Sequence, residues 1–251
     1  AGDLKGNLWK FKVGPTGDET CGDSPSPCSP ENWAPAFSTS TWDSATYTQT
    51  CSTCVPLFVA KDSDDNRQPI VWPPEVTLHP TSGEMVTFGT GKYIEPNDNL
   101  NDASQTYYGV WDNGAAVSRS DLLGRSVAST VELDGGFFRK ITHPDQDADD
   151  SIDKVDYAGT QRGWYFDLPT TRERTTGVTK IDGGLVVFNT FIPSVAACDA
   201  GGTGWLMALD YLEGTDPLTR VFDTDNDLDV DSNDESVAGY QIGAALGGTT
   251  L

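Results

Sequence analysis

Glycine and proline interrupt this chain so often that it has little room for helices. There are 26 Gly and 15 Pro in 251 residues, and few uninterrupted windows are long enough to form a helix. The acidic residues point the same way, since 29 of the 38 are Asp, which forms helices poorly and favours turns and caps. We therefore predict an all-β fold.

Short apolar runs between these turn residues predict the strands. Two Asp-Gly-Gly sequences, at residues 134–136 and 182–184, predict the tight turns of β-hairpins. Residues 14–56 are rich in Pro, Ser, Thr and Cys and show little alternation, so we predict a long loop insertion there. The predicted strands lie at residues 8–13, 57–60, 76–79, 84–89, 106–111, 126–133, 163–168, 184–192, 204–209 and 237–245.

Three segments that overlap predicted strands open with Gly and carry large aromatic residues, at 6–11, 163–168 and 204–210. Gly163 and Gly204 are 41 residues apart, close to the roughly 40–50 residues of a four-stranded propeller blade. This spacing favours a repeated β-unit. A coincidence among aromatic-rich strands is the alternative.

The charge balance restricts the partners of the chain. It has 16 Lys and Arg against 38 Asp and Glu, a formal net charge of -22. Such a surface repels phosphate backbones and anionic lipids. We therefore predict no nucleic-acid partner, and the absence of an apolar run of 18 residues predicts no membrane insertion.

The positions of the five cysteines indicate the redox environment in which the chain folds. Cys21, Cys28, Cys51 and Cys54 lie in the Pro/Ser/Thr-rich segment without a nearby His, which favours loop disulfides and an extracytoplasmic location. A four-Cys zinc site is the alternative, although the spacing of the first pair is unusual for one. Cys198 would then be the odd cysteine.

The sharpest chemical signal is an acidic run at residues 223–234. Alternate acids in a tightly wound loop supply the oxygen ligands that calcium needs. We expect Val230 to tether the loop to the body of the protein, and Leu228 stands where the sharp turn usually has Gly. A solvated acidic loop is the alternative. The predicted calcium ligands are Asp223, Asp225, Asp227, Asp229, Asp231 and Asp234.

A second acidic run, at residues 145–156, repeats the same spacing with Ile152 at the apolar position. Asp150 replaces the glycine of the turn, so we predict a weaker calcium site, again with a solvated loop as the alternative. Its predicted ligands are Asp145, Asp147, Asp149, Ser151, Asp153 and Asp156.

Catalytic signals are weak. His79 and His143 are each followed by Pro in a turn context, so we predict capping or packing roles for them. No spacing selects a pair of acidic residues for acid–base chemistry. We predict that the chain is not an enzyme and has no catalytic residues.

Several motifs together resemble one known family. The Met85–Tyr93 segment contains Phe-Gly-Thr-Gly-Lys-Tyr, and the 163–168 segment reads Gly-Trp-Tyr-Phe-Asp-Leu. With residues 1–11, 107–112 and 201–210, in this order and spacing, they resemble the C-terminal domain of PilY-type type IV pilus-tip proteins.

The resemblance implies a β-propeller, quinoprotein-like and of a modified seven-bladed form. Residues 1–251 would be a partial propeller domain forming its C-terminal half, with 14–56 as an inserted Cys/Pro/Ser-rich loop and 223–234 as an acidic calcium-type loop. The preceding half of the propeller, in the same or another chain, would be needed to close the ring.

The resemblance also implies a function. It predicts a secreted, calcium-binding, pilus-associated adhesin and regulator of type IV pilus assembly and retraction, located outside the cell at the outer membrane or fimbrium. Its partners would be pilins or minor pilins and a host or abiotic surface ligand. The alternatives are a stoichiometric structural subunit of an extracellular filament and a quinoprotein-like propeller enzyme.

Overall fold

The computed structural model describes residues 1–12, 34–37, 39–43, 48–146, 152–195 and 201–243. Within these ranges the regular elements are β-strands, apart from three short 3-10 turns, which confirms the all-β prediction. In chain order the strands are β1 (Asn7–Leu8), β2 (Phe11–Lys12), β3 (Ala34–Pro35), β4 (Thr39–Asp43), β5 (Thr48–Thr53), β6 (Phe58–Val59), β7 (Glu75–Leu78), β8 (Glu84–Gly89), β9 (Thr106–Asp112), β10 (Leu123–Arg125), β11 (Ser129–Leu133), β12 (Gly136–Lys140), β13 (Gly163–Asp167), β14 (Arg174–Asp182), β15 (Leu185–Pro193), β16 (Gly202–Asp210) and β17 (Gly239–Ile242).

Two large sheets form the body of the described structure. The first has five strands in the order β10-β13-β9-β8-β7, and the second has six in the order β11-β12-β17-β16-β15-β14. All pairs in both sheets are antiparallel except β10 with β13, which are parallel. Three small two-stranded sheets, β1-β6, β2-β3 and β4-β5, accompany them. None of the described sheets closes on itself.

Both Asp-Gly-Gly sequences form the predicted hairpins. Leu133 pairs with Gly136 across the first turn, and Asp182 pairs with Leu185 across the second. Gly183 and Gly184 have φ of 57° and 85°, the left-handed conformation at both central positions that a type I′ turn requires. These turns fix the registers of β11-β12 and β14-β15.

The sequence predicted some strands accurately and missed others. The predicted run 84–89 coincides with β8, whereas β10, β12 and β14 were not predicted. The strand predicted at 8–13 is interrupted between β1 and β2, and the predicted insertion 14–56 contains β3, β4 and β5. The last predicted strand, 237–245, extends beyond the described residues, and β17 covers its centre.

The main core lies between the two large sheets. Tyr107 of β9 stacks on Phe188 of β15, with ring centroids 3.6 Å apart and planes 9° from parallel. Trp164 of β13 and Trp205 of β16 are buried in the same cluster. The two aromatic strands that the spacing singled out therefore belong to different sheets and face one core.

Each sheet also has a smaller core on its outer face. On the five-stranded sheet, Phe88 and Tyr108 pack with Leu8 and Phe58 of the N-terminal segment. On the six-stranded sheet, Phe138 of β12 packs with Phe222, which belongs to the long connection between β16 and β17. That connection contains the acidic run 223–234.

A buried ion pair lies at the six-stranded sheet. Arg139 donates to both carboxylate oxygens of Glu173, at 2.6 and 2.8 Å, and both side chains are almost wholly excluded from solvent. The Arg139 guanidinium also lies 4.0 Å from the centre of the Trp205 ring. The Thr190 hydroxyl donates to the same Glu173 carboxylate at 2.7 Å. These contacts compensate both buried charges.

Candidate metal centre

The acidic run belongs to a longer excursion, residues 217–237, that leaves and rejoins the six-stranded sheet at one place. The Asp216 amide donates to the carbonyl of Ile141 at 2.6 Å, and the Ala238 amide donates to the carbonyl of Arg139 at 2.8 Å. The Ser236 hydroxyl donates to the carbonyl of Pro217. We call these contacts the neck of the excursion. The neck holds both ends of the excursion against the end of β12.

Three of the six predicted ligands come together. Asp223, Asp225 and Asp227 each offer a carboxylate oxygen, and these oxygens lie within 4.8 Å of one another. Alternate residues converge because the chain winds tightly between them. Such an all-oxygen donor set suits a hard cation like calcium or magnesium better than zinc or copper.

The winding is set by Asp223 and by two left-handed residues. The two carboxylate oxygens of Asp223 accept hydrogen bonds from the amides of Asn226, at 2.6 Å, and Leu228, at 2.9 Å. Asn226 has φ of 60° and Leu228 has φ of 74°. Leu228 thus adopts, at the position where glycine was expected, the conformation that glycine adopts without strain. The sequence lacks the expected glycine at this position, but the backbone keeps the left-handed turn.

The other three predicted ligands lie outside this cluster. The Asp234 carboxylate accepts the amides of Thr224, at 2.6 Å, and Asp231, at 2.8 Å. The Asp231 carboxylate accepts the amide of Asn233 at 2.6 Å. Asp229 is exposed and donates its amide to Asp227 at 2.9 Å. The described geometry therefore brings together the first half of the predicted ligand set and leaves the second half apart.

The prediction that Val230 tethers the loop is wrong. Its side chain is 50% exposed and is not part of the core. The tether is instead polar: Thr224 is buried, its amide and hydroxyl donate to Asp234, and its carbonyl accepts the Gly135 amide at 3.1 Å. No motif in the sequence distinguishes this threonine from the others.

Within the loop, charge repulsion and hydrogen bonding shift the pKa values of the acidic residues in opposite directions. Desolvation by the surrounding loop, followed by the neighbouring Asp227 carboxylate, raises the pKa of the exposed Asp225. The Thr224 and Asp231 amides lower the pKa of Asp234. The cluster thus holds an excess of negative charge at Asp225, where a cation would relieve it, while Asp234 is a structural acceptor.

The second acidic run is only partly described. Asp147, Asp149 and Ser151 of its predicted ligand set lie outside the described residues. Asp145 forms an ion pair with Lys154, and the Asp156 carboxylate accepts the Gly159 amide at 2.9 Å. Asp153 is exposed and its carbonyl accepts Arg125 at 2.7 Å. The second site stays a prediction.

The two histidines have the capping and packing roles predicted for them. His79 stacks on Trp111 with centroids 4.4 Å apart, and its Nδ1 accepts the Thr81 amide at 3.2 Å. The Nδ1 of His143 accepts the Asp145 amide at 3.0 Å. Burial lowers the pKa of His79, which favours the neutral form of its ring.

The cysteine pairing stays a prediction. Cys21, Cys28 and Cys198 lie outside the described residues, as does the side chain of Cys51.

In the part of the chain that the structure describes, no helix has the length and apolar character to cross a bilayer.

Residues 1–134, more than half of the chain, match the family model of the PilY1 beta-propeller domain. The chain belongs to this family. The match agrees with the two mainly antiparallel sheets described above, and it confirms the resemblance drawn from the sequence motifs.

Curated relatives and a solved structure agree with this assignment. A type IV pilus biogenesis factor PilY1 homolog of Xylella fastidiosa is 30% identical over 227 residues, which cover 87% of this chain and 13% of the relative. The type IV pilus biogenesis factor PilY1 of Pseudomonas aeruginosa strain PAK is 31% identical over 278 residues, which cover 100% of this chain and 23% of the relative. The chain thus spans less than a quarter of the length of these relatives.

The solved structure is the PilY1 C-terminal domain of Pseudomonas aeruginosa. It superposes with a TM-score of 0.68 at 26% identity, over 96% of this chain and 50% of the solved chain. This PilY1-family chain therefore corresponds to about half of the solved C-terminal domain.

Proposed function

We propose that this chain is part of a secreted, pilus-associated adhesin that binds calcium and regulates type IV pilus assembly and retraction. The observation that carries the proposal is the membership of the PilY1 family together with the converging carboxylates of Asp223, Asp225 and Asp227. The relatives named as type IV pilus biogenesis factors support the pilus role. Pilins or minor pilins and a host or abiotic surface are the partners we propose.

Calcium fits the donor set at the acidic loop. Asp223, Asp225 and Asp227 would hold the ion through carboxylate oxygens, and the raised pKa of Asp225 marks the charge that the ion would neutralise. A bound dication supplies a positive charge that offsets the repulsion among the acids. The left-handed residues Asn226 and Leu228 keep the three carboxylates facing one point.

Hydrogen bonds connect the acidic loop directly to the six-stranded sheet. Thr224 follows the first ligand directly and bonds to Gly135 at the β11-β12 turn, and the neck bonds to the end of the same β12 strand. Stiffening the loop would therefore stiffen the hairpin on which it rests. This is how we propose that calcium controls a contact surface.

Calcium titration of the chain tests the site. We expect millimolar or lower calcium to raise the melting temperature, and the double variant Asp225→Asn/Asp227→Asn to lose that rise. Substituting two exposed acids of another turn, Asp64→Asn/Asp65→Asn, provides a matched control with the same change of charge. An unchanged calcium response in the Asp225/Asp227 variant would contradict the site.

We also propose that the preceding half of the propeller, in the same or another chain, docks at the free edge of the five-stranded sheet. Among the described strands, β7 pairs only with β8, and Val76 and Leu78 on it are exposed. Beside β7 lies a cleft of about 210 Å³ whose walls include the core residues Leu8, Leu57 and Val86. An edge strand that has one unpaired side, exposed apolar side chains and a cleft leading to core residues is the kind of edge that another β-strand covers.

Binding measurements test this docking edge. The half of the Pseudomonas aeruginosa domain that the superposition leaves uncovered, made as a separate chain, should bind this one, and Leu78→Lys should weaken the complex at least tenfold. Val195, also exposed at 50% against 77% for Leu78, lies just after β15 of the other large sheet, so Val195→Lys should have no effect. Equal weakening by both substitutions would place the contact elsewhere.

The two alternatives from the sequence stay predictions. Counting copies along a filament would distinguish a stoichiometric subunit from a minor adhesin. An absorbance spectrum with a bound quinone would support the propeller enzyme.

A further inference from the structure

The neck of the acidic excursion contains a buried carboxyl group that no function described so far requires. Asp216 is 4% exposed, and its Oδ1 accepts the amide of Ile141 at 2.8 Å. Because the Asp216 amide donates to the carbonyl of the same residue, Asp216 and Ile141 are joined by two hydrogen bonds. The Ala238 amide, which donates to the carbonyl of Arg139, lies close enough to act on the same carboxyl. The Asp216 side chain thus lies beside both ends of the neck and bonds to the end of β12.

This carboxyl lacks a cationic partner at contact distance. Among the described residues, no Lys, Arg or His nitrogen lies within 4.0 Å of it. A buried carboxylate without a counter-ion is costly, and the group takes up a proton instead. The two backbone amides offset that cost only in part.

The charged groups around the neck are engaged elsewhere. On and beside β12, Arg139 pairs with Glu173, and Lys140 pairs with Glu235 of the excursion. His143 accepts the Asp145 amide. On β16, the Asp210 carboxylate accepts the amides of Leu212 and Glu213, and on the excursion Arg220 donates to the carbonyl of Asp234. Lys140 is the cation that acts on Asp216 through space.

We propose that Asp216 is a pH-sensitive latch, whose protonated form closes the neck and whose ionised form lets the acidic excursion detach from the end of β12. The latch needs no metal, so it goes beyond the calcium function and does not depend on it. Its structural basis is the position of one buried carboxyl between the two ends of the excursion.

The sign and the pH window follow from the direction of the shift. Burial raises the pKa of Asp216 to about 7, whereas a solvated aspartate titrates near pH ~3.9. The closed neck is therefore most stable below about pH 4, loses stability as the pH rises towards 7, and changes little above that value.

Amide hydrogen exchange of the whole chain tests the latch. After correction for the intrinsic exchange rate, we expect the opening constants of the Ile141 and Ala238 amides to rise up to about tenfold per pH unit between pH 5 and 7, and to level off above pH 7. Asp216→Asn should remove this dependence. Asp134→Asn, which removes an exposed carboxylate at the nearby β11-β12 turn, should leave it unchanged.

Two results would overturn the proposal. One is a pH dependence at Ile141 and Ala238 that persists in Asp216→Asn, or that is absent from the unsubstituted chain. The other, which needs no variant, is a carbon-13 titration of the Asp216 carboxyl in the intact chain that is complete below pH 5. Calcium-free buffer in every measurement separates the latch from the metal site, because failure of one leaves the other intact.

Discussion

The amide of Leu228 donates a 2.9 Å hydrogen bond to the Oδ2 of Asp223, and it does so from a left-handed backbone with φ of 74°. A β-carbon in this conformation crowds the following carbonyl, which costs roughly 1–2 kcal/mol in a non-glycine residue. The Leu228 side chain is 90% exposed, so burial does not repay this cost. The loop therefore carries local strain at the turn between its ligands.

We predict that Leu228→Gly leaves the free energy of unfolding unchanged or raises it, whereas Val230→Gly lowers it. Glycine relieves the left-handed strain at 228 and is at least neutral there. At 230 no positive φ is present, and glycine lowers the free energy of unfolding through its greater unfolded-state entropy. We expect the two variants to differ by about 1 kcal/mol in urea denaturation. Equal losses would contradict the strain.

We predict that removing one partner of the buried Arg139–Glu173 pair lowers the free energy of unfolding far more than removing both partners. Arg139→Met leaves an unpaired buried carboxylate and should lower the free energy of unfolding by about 3–5 kcal/mol. Arg139→Met/Glu173→Leu should recover most of that loss. Lys140→Met, which breaks the half-exposed pair with Glu235, should cost less than about 1 kcal/mol. A double variant no more stable than the single one would contradict this account.

We predict that two left-handed glycines respond differently to alanine. At Gly214, with φ of 68°, a β-carbon would lie 2.3 Å from the buried ring of Trp164, whereas at Gly183, with φ of 57°, it would meet open space. Gly183→Ala should cost about 1 kcal/mol from backbone strain alone. Gly214→Ala adds overpacking and should cost about 2–5 kcal/mol. Thermal unfolding followed by tryptophan fluorescence measures both, and equal costs would show that Trp164 moves freely.

Local chemistry made part of the fold predictable. The Asp-Gly-Gly turns fix their hairpins within three residues, and the apolar run 84–89 needs no partner to be recognised as a strand. β10 is a three-residue strand that pairs in parallel with β13, so its signal lies in residues distant in sequence. β14 mixes Thr, charged and apolar residues without regular alternation, and it contains Gly177 at φ of 79° beside an irregular register, which masks its periodicity.

The candidate site was predictable to a similar degree. The spacing of Asp223, Asp225 and Asp227 reveals their convergence because it depends on a local winding. The roles of Val230 and Thr224 depend on what the loop rests against, and an apolar side chain gave a misleading signal there. Asp216 lies outside the acidic run, and only the three-dimensional approach of Ile141 and Ala238 reveals its position.

The double attachment of the excursion at Ile141 and Arg139 has a consequence for how such chains diversify. Because both ends of the excursion are held at the end of β12 and Thr224 is fixed by Asp234 and Gly135, the exposed residues 225–233 can change in length or sequence with little effect on the register of β16 and β17. Selection can therefore change this exposed acidic segment independently of the two strands that flank the excursion.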